Sequence, residues 1–191
     1  KKIIKLFFSL KNNLKTFCIW LTGISGAGKS TLGNRLNNLL ILNNYSSVIL
    51  DGDLIREKIN KDLSYSMKDR DENIRRIACI SESLSHQNII TIVSVISPMK
   101  NQRAHAKEIY GDDFNEVYLK ASLDKCIEKD TKGLYKKALD QNETDFTALT
   151  SPYEEPENPD LMIDTSVNNA KQAAQILIKF LQKKYSLKLT P

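Results

Sequence analysis

Short apolar segments alternate with helical patterns along the chain from Phe17 onwards. Five of these segments are rich in β-branched and aromatic residues, and we expect them to form strands at Phe17–Thr22, Ser47–Asp51, Ile89–Ile96, Glu116–Ala121 and Leu161–Asp164. Strands that are apolar on both faces are usually covered by helices on each side. The alternation therefore predicts stacked βαβ units, that is, an α/β domain of three layers with a central, mainly parallel five-stranded sheet.

The segments between the strands carry the helical pattern. We expect helices from Lys29, around Leu54–Asn60, over Met67–Gln87, near Gln102–Tyr110 and over Val167–Lys184. The third has a start signal, because Ser66 is followed three residues later by Asp69, which is similar to a capping box. Between Asp130 and Pro159 the periodicity disappears, and a segment of this length is typical of a lid or a binding loop.

Composition favours a single soluble domain. The chain has 191 residues, 41% of them hydrophobic, and no apolar run approaches the ~20 residues that span a bilayer. The net charge of +5 arises in the N-terminal quarter, where seven Lys or Arg residues precede the first acid, Asp51, and this distribution does not favour nucleic-acid binding. Three widely spaced cysteines without a C-x-x-C pair indicate neither a disulfide framework nor a zinc site, and favour a reducing, cytoplasmic compartment.

Residues 1–16 are basic and contain no acid. This composition is compatible with an N-terminal helix or linker, with an amphipathic helix on a membrane surface, or with the remnant of a targeting segment. We interpret it as a basic helix or linker before a domain over residues 17–191, with the lid at about 130–159. Organelle targeting and membership of a longer protein stay open.

The segment GISGAGKS, Gly23 to Ser30, matches G-x-x-x-x-G-K-[ST] between a predicted strand and a predicted helix. Such a loop points successive backbone N–H groups at an anion, and the helix N-terminus adds partial positive charge. Lys29 is expected to reach the β and γ phosphates of a nucleotide, and the Ser30 hydroxyl to bind Mg²⁺. The predicted phosphate-binding residues are Gly23, Ile24, Ser25, Gly26, Ala27, Gly28, Lys29, Ser30 and Thr31.

This loop alone does not separate kinases from GTPases or ATPases. NKDL, Asn60 to Leu63, superficially resembles the guanine-reading N-K-x-D pattern, but Leu63 stands where the base-binding Asp is needed. A GTPase is therefore disfavoured.

Acids and arginines follow the second predicted strand. That strand ends in LDGD, which places Asp51 and Asp53 at the carboxyl edge of the sheet beside the phosphate loop. A carboxylate there can hold Mg²⁺ or accept the proton of an acceptor hydroxyl, and an alternative for Asp53 is the N-cap of the next helix. Arg56, Arg70 and Asn73 come next in the chain, and we expect them to converge on an anionic acceptor.

Several longer segments occur in a distinctive order: LDGDLIREKINKDLSYSMKDRDENIRRIA, ISP, KGLYKKA and PYEEPENP. Their order and spacing resemble those of adenylyl-sulfate kinases, from Phe17 to about Lys184. The resemblance implies a P-loop kinase that uses ATP and Mg²⁺ to phosphorylate the ribose 3′-hydroxyl of adenosine 5′-phosphosulfate, in sulfate assimilation. It also implies a homodimer, and fusion to or association with ATP sulfurylase is compatible with the sequence.

The resemblance also implies roles for single residues. Asp53 would be the base and magnesium organiser, supported by Asp51, and Ser30 would be the other metal ligand. Lys29 and Ser97 complete the catalytic set, and direct in-line transfer is favoured over a phosphoserine at Ser97 because it needs no covalent step. The substrate-binding residues would be Arg56, Arg70 and Asn73 at the phosphosulfate, Tyr65 and Phe146 stacked on the adenine, Ile96 and Ser97 after the third strand, and Lys132 and Leu134 in the lid.

Leu54, Met99 and Lys100 depart from the family pattern without removing a required group, and three further departures concern the nucleotide side and the lid. Lys129 stands where Arg is usual, Leu139 where a basic residue is common, and Ala148 where a glycine is frequent. Lys lacks the planar fork of Arg, and the loss of a glycine predicts a different backbone path. Two alternatives to an adenylyl-sulfate kinase stay open: a kinase for another small-molecule acceptor and, because of these departures, a module that binds nucleotide with little turnover.

Overall fold

The computed structural model describes residues 16–130, 133–140 and 146–190. The five strands of one sheet are β1 Cys18–Thr22, β2 Ser47–Asp51, β3 Ile90–Ser94, β4 Phe114–Lys120 and β5 Leu161–Asp164. They lie in the order β2-β3-β1-β4-β5, and every neighbouring pair is parallel. The predicted parallel α/β sheet is confirmed.

Seven helices connect the strands within the described residues. They are α1 Lys29–Leu42, α2 Gly52–Lys58, α3 Met67–Ser85, α4 Lys100–Tyr110, α5 Leu123–Lys129, α6 Leu134–Asp140 and α7 Ala170–Tyr185. The segment after Asp130, where the periodicity disappears, contains the helix α6, and neither α6 nor α5 was predicted. Each of these two helices has seven residues, about two turns, and α2, which is equally short, was predicted two residues late.

The central strand β1 builds a core on each face of the sheet, because successive side chains of a strand point to opposite sides. Ile19 and Leu21 pack with residues of α1 and α7, such as Leu36 and Leu177. On the opposite face Trp20 packs with residues of α3 and α4. The domain therefore has the three layers that the sequence predicted. No helix in the described part of the chain is long and apolar enough to cross a membrane.

The start of α3 orders the loop that precedes it. The Ser66 side chain accepts a hydrogen bond from the Asp69 backbone N–H at 3.2 Å, so the predicted N-cap is confirmed. The Asp69 carboxylate reaches back to the Ser64 backbone N–H at 3.0 Å. Farther along α3, Arg76 binds Asp62 and Glu72 with N–O distances of 2.7 and 2.8 Å. The loop before α3 is thus tied to the helix at two points.

We expect the Arg76–Glu72 ion pair within α3 to weaken in acid. Hydrogen bonds from Arg75 and Arg76 lower the pKa of Glu72 from its ordinary value to about 2. A carboxyl whose pKa is lower in the folded state stabilises the fold above its unfolded pKa, and this contribution is lost as the pH falls through the folded value. Urea unfolding of wild type and Glu72→Gln should therefore differ most above about pH 5 and converge towards about pH 2.

The control for this measurement is Glu128→Gln, which changes an exposed glutamate of α5 in the same way. Its unfolding midpoint should follow that of the wild type at every pH. A Glu72→Gln difference that is constant across the pH range would contradict the assignment of the stabilisation to the ionised carboxylate.

Candidate active site

The candidate site lies at the carboxyl edge of the sheet. Because all five strands are parallel, the loops that follow β1, β2 and β3 leave the sheet at this edge. β1 lies between β3 and β4, so the strand order reverses around it. In open α/β sheets, ligands bind outside the carboxyl ends of the strands at such a reversal.

The loop after β1 has the geometry of a phosphate cradle. Gly23, Gly26 and Gly28 have positive φ angles of 146°, 74° and 95°. A Cβ atom on Gly23 would lie 2.6 Å from the carbonyl oxygen of Leu119, so this position accepts no side chain without a shift of β4. The ammonium group of Lys29 donates to the carbonyl oxygens of Gly23 and Ile24, both at 2.7 Å, and is held against the loop.

The remaining predicted residues of the loop take different positions. Ile24 and Ala27 are buried and anchor the loop in the core, whereas Ser25 is half-buried. Thr31 lies exposed in the first turn of α1. Two apolar side chains that are buried in the core therefore fix the backbone of this loop.

Ser30 and Asp51 meet beside this loop. The Ser30 hydroxyl donates to Asp51 Oδ2 at 2.7 Å and lies 3.3 Å from the hydroxyl of Ser94. The sequence paired Ser30 with Asp53 as metal ligands, but the structure places the hydroxyl on Asp51. Asp51 and Ser94 face each other in the register of β2 and β3, which explains why this acid is the one within reach.

These oxygens suit a magnesium ion. Mg²⁺ prefers oxygen ligands and is usually held by one or two protein groups together with substrate phosphates and water. A serine hydroxyl and a carboxylate at hydrogen-bond distance, beside the phosphate loop, provide such a pair. Among the described residues, no three His, Cys, Asp or Glu side chains converge into a metal-binding group. The protein would therefore supply only a few of the ligands of such an ion.

Asp53 lies exposed in the first turn of α2. Its backbone N–H donates to Asp51 Oδ1 at 3.0 Å, and Asp51 is the N-cap of the helix. The alternative that Asp53 is the N-cap was wrong, because α2 begins at Gly52 rather than at Leu54. Asp51 thus binds Ser30 through one carboxylate oxygen and fixes the backbone of Asp53 through the other.

Arg56 and Arg70 gather around Tyr65. The Arg56 guanidinium lies 4.7 Å from the centre of the exposed Tyr65 ring and donates to the Ser64 carbonyl at 2.7 Å. Burial lowers the pKa of Arg56. Arg70 donates to the Tyr65 carbonyl at 2.8 Å and to the Thr147 hydroxyl at 2.9 Å. Arg70 therefore joins the two segments that carry the two predicted stacking rings, Tyr65 and Phe146.

Asn73 lies behind this group. Only 6% of its surface is exposed, and its side-chain oxygen accepts a hydrogen bond from the buried Asn60 amide at 2.9 Å. The structure therefore brings Arg56 and Arg70 together at Tyr65. The Asn73 side chain instead lies in the interior, where its hydrogen bond to Asn60 holds the loop between α2 and α3. Neither the periodicity nor the charge pattern of the sequence shows that the arginines lie at the candidate site and that Asn73 is buried.

The loop after β3 is held by side chains that sequence reasoning missed. Ser97 is 1% exposed and has a positive φ of 40°. The Trp20 indole donates to its hydroxyl at 3.1 Å, and that hydroxyl donates to Thr22 Oγ1 at 3.0 Å. Thr22 also donates to the carbonyl of Ile96 at 2.7 Å and lies 3.0 Å from the Tyr153 hydroxyl.

The predicted lid segment contacts the phosphate loop. Leu134 is half-buried at the start of α6, and its backbone N–H donates a hydrogen bond to Asp130 Oδ1 at 2.9 Å. Next to it, the buried Tyr135 donates its hydroxyl to the Ser25 carbonyl at 2.8 Å, and burial raises the pKa of this phenol. The half-buried Phe146 packs on the Tyr135 ring at a centroid distance of 4.9 Å. The predicted Lys132 lies outside the described residues.

Ala148 adopts the backbone conformation that usually favours glycine. Its φ is 70°, and its N–H donates to the carbonyl of Ser151 at 2.8 Å, which closes a tight turn after Phe146. The loss of a glycine was expected to redirect this loop. The structure shows alanine in the left-handed region, at a steric cost, and the change of path stays a prediction.

A cleft of about 840 Å³ borders the phosphate loop. Ile24 lines its edge, the ends of β4 and β5 line its floor, and the turn around Ala148 lines its side. The volume falls within the range of roughly 300–1,000 Å³ that is typical of small-molecule sites. It lies on the side of the loop that faces β4 and β5, whereas Asp51 follows β2 on the other side.

A glycine-rich loop between a parallel strand and a helix, with a serine and an aspartate at its edge, defines the class of P-loop kinases and NTPases. A family model described as adenylylsulphate kinase matches residues 15–164. The adenylyl-sulfate kinase of Bacillus licheniformis is 42% identical over 181 residues, which cover 94% of this chain and 92% of that protein. That of Staphylococcus carnosus is 43% identical, with 90% and 87% covered. The chain belongs to the adenylyl-sulfate kinase family and is therefore an enzyme, a kinase.

Solved structures agree with this assignment. The APS kinase of Mycobacterium tuberculosis in complex with AMPPNP and APS has a TM-score of 0.84 and 37% identity, and the match covers 88% of this chain and 98% of that chain. A sugar kinase from Janibacter, at 16% identity and a TM-score of 0.64, shares the fold alone. The family supports ATP-dependent phosphorylation of adenylyl sulfate as the reaction.

We expect Ala148→Gly to stabilise the protein by about 0.5–1 kcal/mol, because it relieves the steric cost of a left-handed alanine and loses part of that gain to unfolded-chain entropy. Urea unfolding measures the change. The matched control is Ala104→Gly in the exposed interior of α4, which should destabilise by about 1 kcal/mol. Equal destabilisation by both variants would contradict strain at Ala148.

Proposed function

We propose that this chain transfers the γ-phosphoryl group of ATP to the ribose 3′-hydroxyl of adenosine 5′-phosphosulfate, giving 3′-phosphoadenosine 5′-phosphosulfate and ADP. The observation that carries the proposal is the contact of Ser30 with Asp51 at 2.7 Å beside the glycine-rich loop, with Asp53 in the next turn. It supports a phosphate site and an acidic group at one edge of the sheet, which phosphoryl transfer requires.

The nucleotide side is formed by the phosphate loop and the cleft beside it. Backbone N–H groups of the loop and the start of α1 favour the β and γ phosphates, and the Lys29 ammonium adds a positive charge. The cleft is continuous with Ile24 of this loop and has the size needed for the base and ribose of ATP. Lys129, the departure from the family pattern at the end of α5, is exposed.

Ser30 and Asp51 are the residues that would hold Mg²⁺. The ion supplies neutralisation of the charge that spreads over the transferred group. Asp51 also fixes the first turn of α2, so the same carboxylate sets the position of Asp53. Asp53 is the group proposed to accept the proton of the 3′-hydroxyl.

The acceptor side is formed by Arg56 and Arg70 with Tyr65. The Arg56 guanidinium beside the Tyr65 ring and the Arg70 guanidinium on the Tyr65 carbonyl suit an anion attached to an adenine nucleotide, because the charges favour the phosphosulfate and the ring offers a face for stacking. Phe146 supplies a second ring, and Arg70 holds its segment near Tyr65 through Thr147.

Turnover by the isolated chain tests this function. With Mg²⁺, ATP and adenylyl sulfate, we expect a 3′-phosphorylated product on anion-exchange separation, and no product when adenosine 5′-monophosphate replaces adenylyl sulfate. Asp53→Ala should lower kcat by about 10²–10⁴-fold, the usual contribution of general-base catalysis. Asp112→Ala, which removes an exposed carboxylate in the turn after α4, is the matched control.

Two results would overturn the proposal. Binding of ATP without phosphorylation of adenylyl sulfate would favour a nucleotide-binding module, and preference for another hydroxyl acceptor would make the chain a kinase of a different substrate.

We further propose direct in-line transfer without a phosphoserine. The Ser97 hydroxyl is buried and bonded to both Trp20 and Thr22, which suits a structural group. Ser97→Ala should cost about 1–3 kcal/mol of stability, because the indole N–H of Trp20 loses its acceptor. kcat should fall by about tenfold or less, and intact-mass analysis after incubation with ATP alone should show no added phosphate. A loss of about a thousandfold or more, as expected for a nucleophile, would contradict direct transfer.

A homodimer, a link to ATP sulfurylase and a cytoplasmic location are predictions from the sequence. One related structure is described as a hexameric APS kinase from Thiobacillus denitrificans, with 26% identity and a TM-score of 0.71. The match covers 97% of this chain and 33% of that one, so that relative is the longer protein. Light scattering of this chain measures its own assembly state.

A further inference from the structure

Arg103 is a buried arginine that the proposed reaction does not use. It lies in the first turn of α4 with 3% of its surface exposed. Its three nitrogens have separate partners: Nη1 donates to the Ser97 carbonyl at 2.7 Å, Nη2 to the Glu154 carbonyl at 2.7 Å, and Nε lies 2.7 Å from Glu116 Oε1. A buried charge of this kind is costly unless it is paired and hydrogen-bonded.

The pairing leaves Arg103 no surplus charge for a ligand. Glu116 is also mostly buried, and the two groups meet as an ion pair rather than through a well-aligned hydrogen bond. Burial raises the pKa of Glu116, whereas Arg103 favours its ionised form. Arg103 therefore affects its surroundings by fixing the positions of the groups that it binds, not by presenting a net charge.

The first segment held by Arg103 is strained. Ser97 has a φ of 40°, a conformation that L-residues adopt at a cost and that persists only where the surroundings impose it. Its carbonyl is bound by Arg103, and its hydroxyl by Trp20 and Thr22. The loop after β3, which would face the acceptor, is thus fixed at both its backbone and its side chain.

The second segment comes from the far end of the lid. The Glu154 N–H donates to the Pro98 carbonyl at 2.8 Å, and its carboxylate accepts from the Lys100 N–H at 2.7 Å. The neighbouring Tyr153 ring lies 5.8 Å from the Arg103 guanidinium carbon, and the Tyr153 hydroxyl contacts Thr22. Residues 153–154 and 96–98 therefore form one unit around Arg103.

We propose that Arg103 is a positioning residue that holds the loop 96–98 and the segment 153–154 together, so that the acceptor meets an already ordered surface. The inference rests on the proposed function in one respect, namely that adenylyl sulfate is the acceptor at this loop. Lysine cannot replace Arg103, because a single ammonium cannot reach three acceptors in the directions that the planar guanidinium serves.

The closing experiment compares Arg103→Lys with the wild type. Breaking charge-assisted hydrogen bonds that order the acceptor loop should raise KM for adenylyl sulfate by about tenfold. KM for ATP should stay within about twofold, because the phosphate loop is held separately, by the hydrogen bond from the Tyr135 hydroxyl to the Ser25 carbonyl. The control is Arg35→Lys, the same change at an exposed position of α1, with no effect on either constant.

A second readout needs no turnover. Trp20 is the only tryptophan of the chain and is fully buried on the Ser97 hydroxyl. Acrylamide quenching of its fluorescence should rise in Arg103→Lys and remain at the wild-type level in Arg35→Lys. Tyr153→Phe provides a milder variant that removes only the contact with Thr22, and it should raise KM for adenylyl sulfate by about three- to fivefold.

The outcomes separate the two proposals. Equal rises in both KM values, or unchanged KM and quenching in folded Arg103→Lys, would overturn the positioning role. If Arg103→Lys does not fold, Tyr153→Phe decides, and an unchanged KM for adenylyl sulfate overturns the role. If wild type does not phosphorylate adenylyl sulfate, the proposed function fails, whereas increased quenching in Arg103→Lys still supports the ordering of the loop.

Discussion

Five parallel strands bring every strand-to-helix connection to one edge of the sheet, and each functional group of this domain depends on that constraint. The phosphate loop leaves β1, Asp51 ends β2, and the Ser97 loop follows β3. Because β1 lies between β3 and β4, the loops after β3 and β4 flank the phosphate loop on opposite sides. The groups proposed for the acceptor and for the nucleotide can therefore approach the phosphate loop from two sides.

The edge is stabilised by contacts that leave little freedom to the backbone. Gly23 leaves no room for a side chain beside the carbonyl of Leu119, and Tyr135 of α6 donates a hydrogen bond to the carbonyl of Ser25. Ser97 and Ala148 both adopt left-handed conformations that are unfavourable for residues with a Cβ. Strained backbone of this kind is found at functional sites, where the surrounding structure compensates its cost. Here the compensation comes from hydrogen bonds and from the core beneath the loops.

Three arginines of this domain have different partners according to how deeply each is buried. Arg56 lies beside the ring of Tyr65 at the surface, and Arg70 connects Tyr65 to Thr147. Arg103 lies inside and directs its nitrogens to two carbonyls and one carboxylate. The first two are placed where a charged ligand can meet them. The third is placed where its rigid fork can only organise protein groups.

The sequence alone determined the features that depend on local pattern. Apolar runs predicted the five strands, the glycine spacing predicted the phosphate loop, and Ser66 predicted the start of α3, because each of these signals lies within about ten residues. The family followed from motifs of the same local kind. Short helices give a weak periodic signal: α5 and α6 were not predicted, and α2, which is equally short, was placed two residues late.

The tertiary structure alone decided which side chains meet. Trp20 and Ser97 are 77 residues apart in the chain, and Arg70 and Thr147 are also 77 apart, so no local pattern relates them. The choice of Asp51 over Asp53 as the partner of Ser30 depends on where β2 ends and α2 begins, which sequence patterns define only within a few residues. Burial of Asn73 and Arg103 likewise depends on the helix face that packs on the sheet. Polar residues on such a face carry no mark in the sequence, because their partners come from distant strands and loops.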